Sequence, residues 1–283
     1  MDVTRLRFGS SPTGGRRRSA GAAAGVAIVV ATVALRLPAL LASRHLSFDD
    51  GVYGASAVAL RDGHLPFREV FSSQGPLFLP LVGLADLLGL RTLDAPRLLA
   101  VAAGVVLVAA VWSIVRGLGG GPAPAALAAA LVATSGSVLW VTGPLTSDGP
   151  ALALATVAVA LALAYRRSTE ARQAARLAVL TGLALGASLS IKSLLVAAAI
   201  PVGGALLRDR RHLGLAAAAA AGVGIAATVP WGVADVWDQS VVYHLEAAGS
   251  LTPGANAAKL LSTLLDRDLL LVAAAVVVGG LAA

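Results

Sequence analysis

Residues 177–207 form an unbroken apolar run of 31 residues that carries one charge, Lys192, near its middle. A single helix that crosses a bilayer needs only about 20 residues. Two shorter helices folded back at Lys192 account both for the excess length and for a charge that hydrocarbon would penalise. The run is bounded by Arg166, Arg167, Arg172 and Arg176 on one side and by Arg208, Arg210 and Arg211 on the other. Such clusters belong on the cytoplasmic side, so an even number of crossings must separate them. The hairpin meets that condition and predicts Lys192 at an outer turn.

The remainder of the chain follows the same pattern. Hydrophobic residues make up 57% and charged residues 13%, against about 25% charged in a soluble domain. With a mean hydropathy of +0.82, this is an all-α polytopic membrane protein, long enough for about eight transmembrane helices. The net charge of +7 lies in short clusters between apolar runs, which is loop topology rather than a nucleic-acid surface. The absence of cysteine excludes disulfides, thiolate metal sites and a cysteine nucleophile. Spans are predicted at 20–42, 97–115, 123–143, 149–165, 176–191, 193–207, 212–233 and 267–283. Residues 1–19, with Arg16, Arg17 and Arg18, read as a basic cytoplasmic tail. The first apolar run is about twice a signal-peptide core, which favours an uncleaved anchor. Segment 76–90 is short and interrupted by Pro80 and Asp86. If it crossed, the parity between the arginine clusters would fail. It is therefore expected to lie at the interface, making 43–96 one large outer loop with interfacial helices. A second outer loop is expected at 234–266. Residues 20–283 read as one transmembrane domain, expected to be incomplete at its C-terminal end because it stops within an apolar run.

Polar chemistry concentrates in Ser47–Pro80. Asp49 and Asp50 stand side by side, so one can serve chemistry and the other structure, neighbours on a helix being about 100° apart. A carboxylate here can take a proton from a hydroxyl or hold a metal; the structural alternative is Ser47 or Asp49 as a helix N-cap. Tyr53 falls on the helical face of Asp49, as a site residue or an interfacial aromatic. Gly63 to Glu69, with Arg68 and Glu69, is a turn followed by charges. Asp148 precedes a span and reads as a site residue or a cap. Lys192 suits a lipid phosphate, or snorkels to any headgroup. His244 suits acid–base chemistry or an anion contact. The topology predicts all of these on the outer face. No dinucleotide fingerprint, P-loop, HExxH or GxSxG is present, so nucleotide-dependent chemistry has no support.

The acidic pair after the first span, the large outer loop and the later acidic residue resemble the GT-C glycosyltransferases. The likeness is to the branch of protein O-mannosyltransferases and lipid A aminoarabinose transferases. It rests on Asp49-Asp50, Tyr53, Gly63 with Pro66-Phe67, Gly75-Pro76-Leu77, Asp148, Ser190-Ile191-Lys192-Ser193, Pro230-Trp231-Gly232 and His244, over about residues 20–250. The resemblance implies transfer of a sugar from a polyprenyl-phosphate carrier to an acceptor hydroxyl on the outer face of the plasma membrane. Asp49 would be the catalytic base. Asp50, Tyr53, Arg68, Glu69, Gln74, Asp148, Lys192 and His244 would bind substrate. The acceptor is left open among lipid, glycan and protein. Membrane lipid is a partner, nucleic acid is not, and no cofactor is assigned beyond an open question of a divalent cation. Resembling enzymes often carry Lys-Pro where this chain has Gln74-Gly75-Pro76, so Lys192 would carry more of the phosphate charge. The rival readings are a secondary transporter and a non-catalytic or truncated, inactive relative.

Overall fold

The computed structural model describes residues 13–41, 47–88, 97–247 and 253–282. Most of the basic tail, and the stretches 42–46, 89–96 and 248–252 of the expected outer loops, lie outside the described residues. The described chain is built of helices: α1 (Thr13–Ala34), α2 (Leu37–Leu41), α3 (Phe48–Arg61), α4 (Phe78–Leu88), α5 (Arg97–Gly117), α6 (Pro122–Thr134), α7 (Gly136–Thr142), α8 (Asp148–Arg167) and α9 (Ala171–Ile191). A 3-10 segment, Ser193–Ala198, leads into α10 (Ala199–Leu206) and then α11 (Arg210–Thr228). After α11 come α12 (Val233–Trp237), a π-helical turn at Asp238–Val242, α13 (Tyr243–Ala247) and α14 (Pro253–Ala282).

Among the described residues, five helical stretches are long and apolar enough to cross a membrane: Ala23–Leu41, Arg97–Gly117, Asp148–Arg167, Ala171–Ile191 and Arg210–Trp231. The pair α6 and α7, bent by 62°, makes a sixth if taken as one broken span. The bend falls at Ser135-Gly136, a Ser/Gly step of the kind that kinks helices. The expected span at 193–207 forms the short, partly 3-10 segment Ser193–Leu206 instead. The expected span at 267–283 falls within α14, whose helix starts at Pro253 and kinks at Asp268. Segment 76–90 contains the 11-residue α4, well short of a bilayer crossing.

Small side chains hold the bundle together. On α8, Ala151, Ala155, Ala158 and Ala162 are buried, a spacing that keeps them on one helical stripe. On α9, Gly182 and Gly186 face α11 so closely that a Cβ would lie 2.1 Å from the carbonyl oxygen of Ala216 and 2.6 Å from that of Ala220. Only glycine permits this approach. Two small residues four apart on a helix are the usual means by which membrane helices meet, because lipid offers no hydrophobic drive for association.

The antiparallel order separates two ends. At one end lie the C-termini of α5 and α8 and the N-terminus of α11, where Tyr165 is hydrogen-bonded to His212 at 3.1 Å and the guanidinium of Arg167 lies against Gly117. This end carries Arg116, Arg166, Arg167, Arg210 and Arg211. The other end gathers α3, α4, the start of α8, the end of α9 and the α12–α13 segment.

Candidate active site

At that second end, the first turn of α3 is closed by a capping box. The Ser47 side chain accepts from the Asp50 amide, and the Asp50 carboxylate accepts from the Ser47 amide, which satisfies amides that a helix start leaves open. Asp50 is buried and takes both parallel hydrogen bonds of Arg97, from Nε and Nη2, each 3.0 Å. It also accepts from the Leu145 amide at 2.8 Å. Arg97 donates to the carbonyl of Ala39 as well. Burial raises the Asp50 pKa, but Arg97, the Leu145 amide and Ser47 outweigh it and hold the carboxyl below its ordinary value. Asp50 is thus the pin that joins α2, α3, α5 and the turn before α8.

The pin fixes its neighbour. Asp49, on the same turn, is half-buried, and its carboxylate accepts no hydrogen bond among the described residues. Burial pushes its pKa up, and the negative charge of Asp148 adds to this, while Lys192 opposes it. Asp148 opens α8 and Lys192 ends α9; their side chains form an ion pair at 2.6 Å. Asp49, Asp148 and Lys192 therefore share one electrostatic site, although they lie far apart in the chain.

Tyr53, one turn below, is buried edge-on against Phe78, with ring centroids 4.7 Å apart. Burial raises its pKa to about 12, with the nearby Gln74 side chain opposing the rise. Gln74 accepts from the Ser147 hydroxyl at 2.7 Å. The next residues complete the end of α9. The amides of Gly75 and Leu77 donate to the carbonyls of Ile191 and Ser190, both at 2.9 Å, which a helix C-terminus otherwise leaves unpaired. A Cβ at Gly75 would stand 2.3 Å from the Ser190 oxygen. This backbone therefore has no room for a lysine at position 75.

From the other side, the π-turn and α13 clamp the same segment. The Ser72 amide donates to Gln239 at 3.0 Å, Ser240 donates to the Gln74 carbonyl at 2.7 Å, and His244 Nε2 lies 2.7 Å from the Ser73 carbonyl. Between this clamp, α9 and α11 lies a cleft of about 820 Å³ with Lys192, His244, Ser190 and Ser193 among its polar lining and Leu189, Leu194 and Trp237 among its apolar lining. A second cleft, of about 640 Å³, opens between α2, α3 and α7 and includes Asp49.

The structure thus assembles Asp49, Asp50, Tyr53, Gln74, Asp148, Lys192 and His244 at one end of the bundle. Among the described residues, Arg68 and Glu69 make no hydrogen bond or ion pair with this group, although the carbonyl of their neighbour Phe67 accepts from Gln239 at 2.7 Å. Arg68 and Glu69 are exposed in the turn after α3, where Glu69 accepts from the Leu65 amide at 2.8 Å and faces His64 at 3.8 Å. Sequence reasoning missed Arg97, Ser147, Gln239 and Ser240. Arg97 left one signal: an arginine at a helix N-terminus opposes the helix dipole, so it needs a carboxylate. Arg36 was missed too. It is fully buried where α1 breaks into α2, donating to Thr142 Oγ1 at 2.9 Å and to the Thr32 carbonyl at 2.8 Å. Among the described residues no group of three or more metal-ligating side chains occurs.

Residues 92–213 match the family model for dolichyl-phosphate-mannose-protein mannosyltransferase. The likeness to the GT-C glycosyltransferases is shown over that segment. It runs from just before α5 into α11 and takes in Asp148 and Lys192, whereas Asp49, Asp50, Tyr53 and Gln74 precede it and His244 follows it. Together with the spanning helices, the match supports a membrane-embedded glycosyltransferase. Comparison with curated proteins and with solved structures gave no match.

Proposed function

We propose that this chain transfers a sugar from a polyprenyl-phosphate carrier to an acceptor hydroxyl, with Asp49 as the general base. The observation that carries this reading is the position of Asp49. Its carboxylate is uncommitted, it lines one cleft, and it is coupled electrostatically to Lys192, which lines the other.

The larger cleft suits the donor. Its walls along α9 and α11 are apolar and suit a prenyl chain, and its mouth holds a cation where the phosphate of such a lipid would lie. As the bond from the anomeric carbon to the phosphate oxygen breaks, the carrier phosphate gains negative charge. Lys192, held in place by Asp148, stabilises that charge, since a fixed cation placed where negative charge develops lowers the barrier. Asp49 takes the proton of the attacking hydroxyl, and its raised pKa brings it nearer the range in which a carboxylate base is effective. Asp50, held by Arg97, orients the turn that carries Asp49. Tyr53, packed on Phe78, and the Gly75–Leu77 segment bonded to the end of α9 carry this turn to Lys192. The description of the matched family names a mannose carried on dolichyl phosphate and a protein acceptor; a prenyl-linked hexose is the donor class this site would take.

The arginine-rich end of the bundle supports a cytoplasmic placement for that end. The reaction then occurs at the outer face, with the N-terminus inside.

Mass spectrometry of lipids that co-purify with Asp49→Asn tests the reading. Retention of a glycosylated polyprenyl phosphate above the level bound by the unmodified chain is expected. Absence of any prenyl phosphate from both, under extraction that retains other lipids, would overturn it and favour a transporter or a non-catalytic subunit.

A further inference from the structure

The family match ends at residue 213, so α14 lies beyond it, yet α14 meets the bundle beside the active site. Its helix kinks at Asp268, where φ is −133° and ψ is 34°. The kink faces the break between α6 and α7. Asp268 is 4% exposed and accepts from the Ser135 hydroxyl at 2.7 Å and from the Ser137 amide at 3.2 Å. Gly136, between them, lets the two backbones meet: a Cβ there would stand 2.5 Å from the Arg267 carbonyl oxygen. One turn further along α7, the Arg267 guanidinium lies 4.2 Å from the centre of the Trp140 ring, a cation–π contact.

The far end of α7 is held as well. Thr142 is fully buried and accepts from Arg36 Nε at 2.9 Å. Arg36 is itself fully buried, and Gly104 on α5 makes room for it, since a Cβ there would lie 2.3 Å from Nε. Two buried ionisable side chains, one from α14 and one from the break between α1 and α2, thus grip a seven-residue helix. Such groups are costly in a membrane protein and are kept where they serve function. What α7 supplies is a wall of the cleft that holds Asp49, through Gly136, Leu139, Trp140 and Gly143.

We propose that Asp268 is a positioning residue for the transfer: it braces α7, and so sets the width and water content of the cleft that holds Asp49. The role of Asp49 comes from the glycosyltransfer reading above; the brace stands on the contacts of Asp268. A helix as short as α7 has too few internal hydrogen bonds to hold itself. The Ser135 hydroxyl and the Ser137 amide need an acceptor, and without Asp268 they must find water. The first turn of α7 then leaves α14 and carries Leu139 and Trp140 with it. Reaction geometry tolerates little such movement, a displacement of about 1 Å costing as much as roughly a hundredfold in rate. Opening the cleft also hydrates Asp49, whose raised pKa owes most to burial. The other charges that act on Asp49, namely Asp148, Lys192 and Asp50, stay in place.

Cysteine labelling of the full chain in proteoliposomes tests this, because the chain has no cysteine of its own. Asp49→Cys reports on the cleft, and Ser193→Cys, in the lining of the donor cleft, is the control. Each is alkylated with N-ethylmaleimide with Asp268 intact, with Asp268→Asn and with Asp268→Leu. Asp268→Leu should speed alkylation at position 49 about tenfold, the ratio that 1.4 kcal/mol gives, and leave position 193 unchanged. Asp268→Asn keeps one acceptor oxygen and should fall between. Should Asp268→Leu not accumulate, Gly136→Ala forces the same joint apart from the α7 side and should give the same selective rise. An unchanged rate at position 49, or an equal rise at both positions, overturns the brace. Transfer is assayed separately, with Asp49 intact and with a synthetic prenyl-phosphate mannose and a serine-rich peptide as probes. Asp268→Leu should lower kcat and move the acid limb of kcat/KM to lower pH, and Asp268→Asn should recover part of both. A lower rate with the acid limb unmoved overturns the positioning role. Absence of transfer by the unmodified chain counts against the glycosyltransfer reading, and the labelling still decides the brace.

Discussion

Replacing Asp50 by alanine removes the carboxylate from Arg97, which is 2% exposed and stays buried. Five hydrogen bonds to Asp50 are lost, two from Arg97, two from Ser47 and one from Leu145. Breaking a buried pair from one side costs about 3–5 kcal/mol, most of it from the uncompensated charge. Removing Arg97 alone, as Arg97→Met, costs a comparable amount because Asp50 is then left buried. Removing both leaves neither charge, so the double variant should lose less than the sum of the singles, by about 0.5–3 kcal/mol. Thermal unfolding of the purified chain in one detergent, followed by tryptophan fluorescence, gives the cycle. Strict additivity would refute the pin. The pH dependence has a definite sign. The folded pKa of Asp50 lies below its ordinary value, so its contribution is complete above about pH 4, where the unfolded carboxyl is ionised. It is lost as pH falls through the depressed folded value. In the double variant that acid loss should shrink.

Other expected outcomes follow from the site. Asp49 must be ionised to act as a base, so activity falls as pH drops through its raised pKa; Asp148→Asn removes a raising charge and should shift the acid limb of kcat/KM downward, while Lys192→Met should shift it upward. A reversed pair of shifts would remove Asp49 from the role of base. Gly75→Ala puts a Cβ 2.3 Å from a backbone oxygen at the end of α9 and should destabilise by about 1–3 kcal/mol, read as a lower Tm; an unchanged Tm would mean that the 75–77 segment moves freely. Because the chain contains no cysteine, Asp148→Cys and Lys192→Cys should each react with an impermeant thiol reagent in intact cells. Arg208→Cys should react only after permeabilisation, and the opposite pattern would invert the topology.

Membrane class and the helical character were legible because composition and run length decide them. Parity put Asp148 and Lys192 at one face, but their ion pair was not foreseen: the sequence offered Asp148 a cap role and Lys192 a lipid phosphate. The pairing of Asp50 with Arg97 was not legible, because 47 positions separate them and no periodicity links the start of one helix to the start of another. Which member of the acidic pair is structural depended on the box formed by Ser47 and Asp50, whereas the sequence offered Ser47 or Asp49 as the cap. The apolar run at 123–143 hid its break, since an all-apolar helix shows no change of face at Ser135. That break is stabilised from a distance: Ser135 donates to Asp268 at 2.7 Å, and the Ser137 amide donates to Asp268 at 3.2 Å. Arg68 and Glu69 were grouped with the site by the resemblance; they occupy an exposed turn that is tied to the clamp through Gln239, which donates to the Phe67 carbonyl at 2.7 Å.

The end of α9 is by itself a poor place for a phosphate. The last carbonyls of a helix carry the negative end of its dipole, equivalent to roughly half an elementary charge, and would repel an anion. Here two of those carbonyls are already occupied by the amides of Gly75 and Leu77, and Lys192 follows immediately. The segment from Gly75 to Leu77 thus acts as an electrostatic screen. In the proposed reaction, any motion that lifted it from α9 would set bare carbonyls beside the carrier phosphate, and the repulsion would favour release of the spent carrier without loss of the lysine.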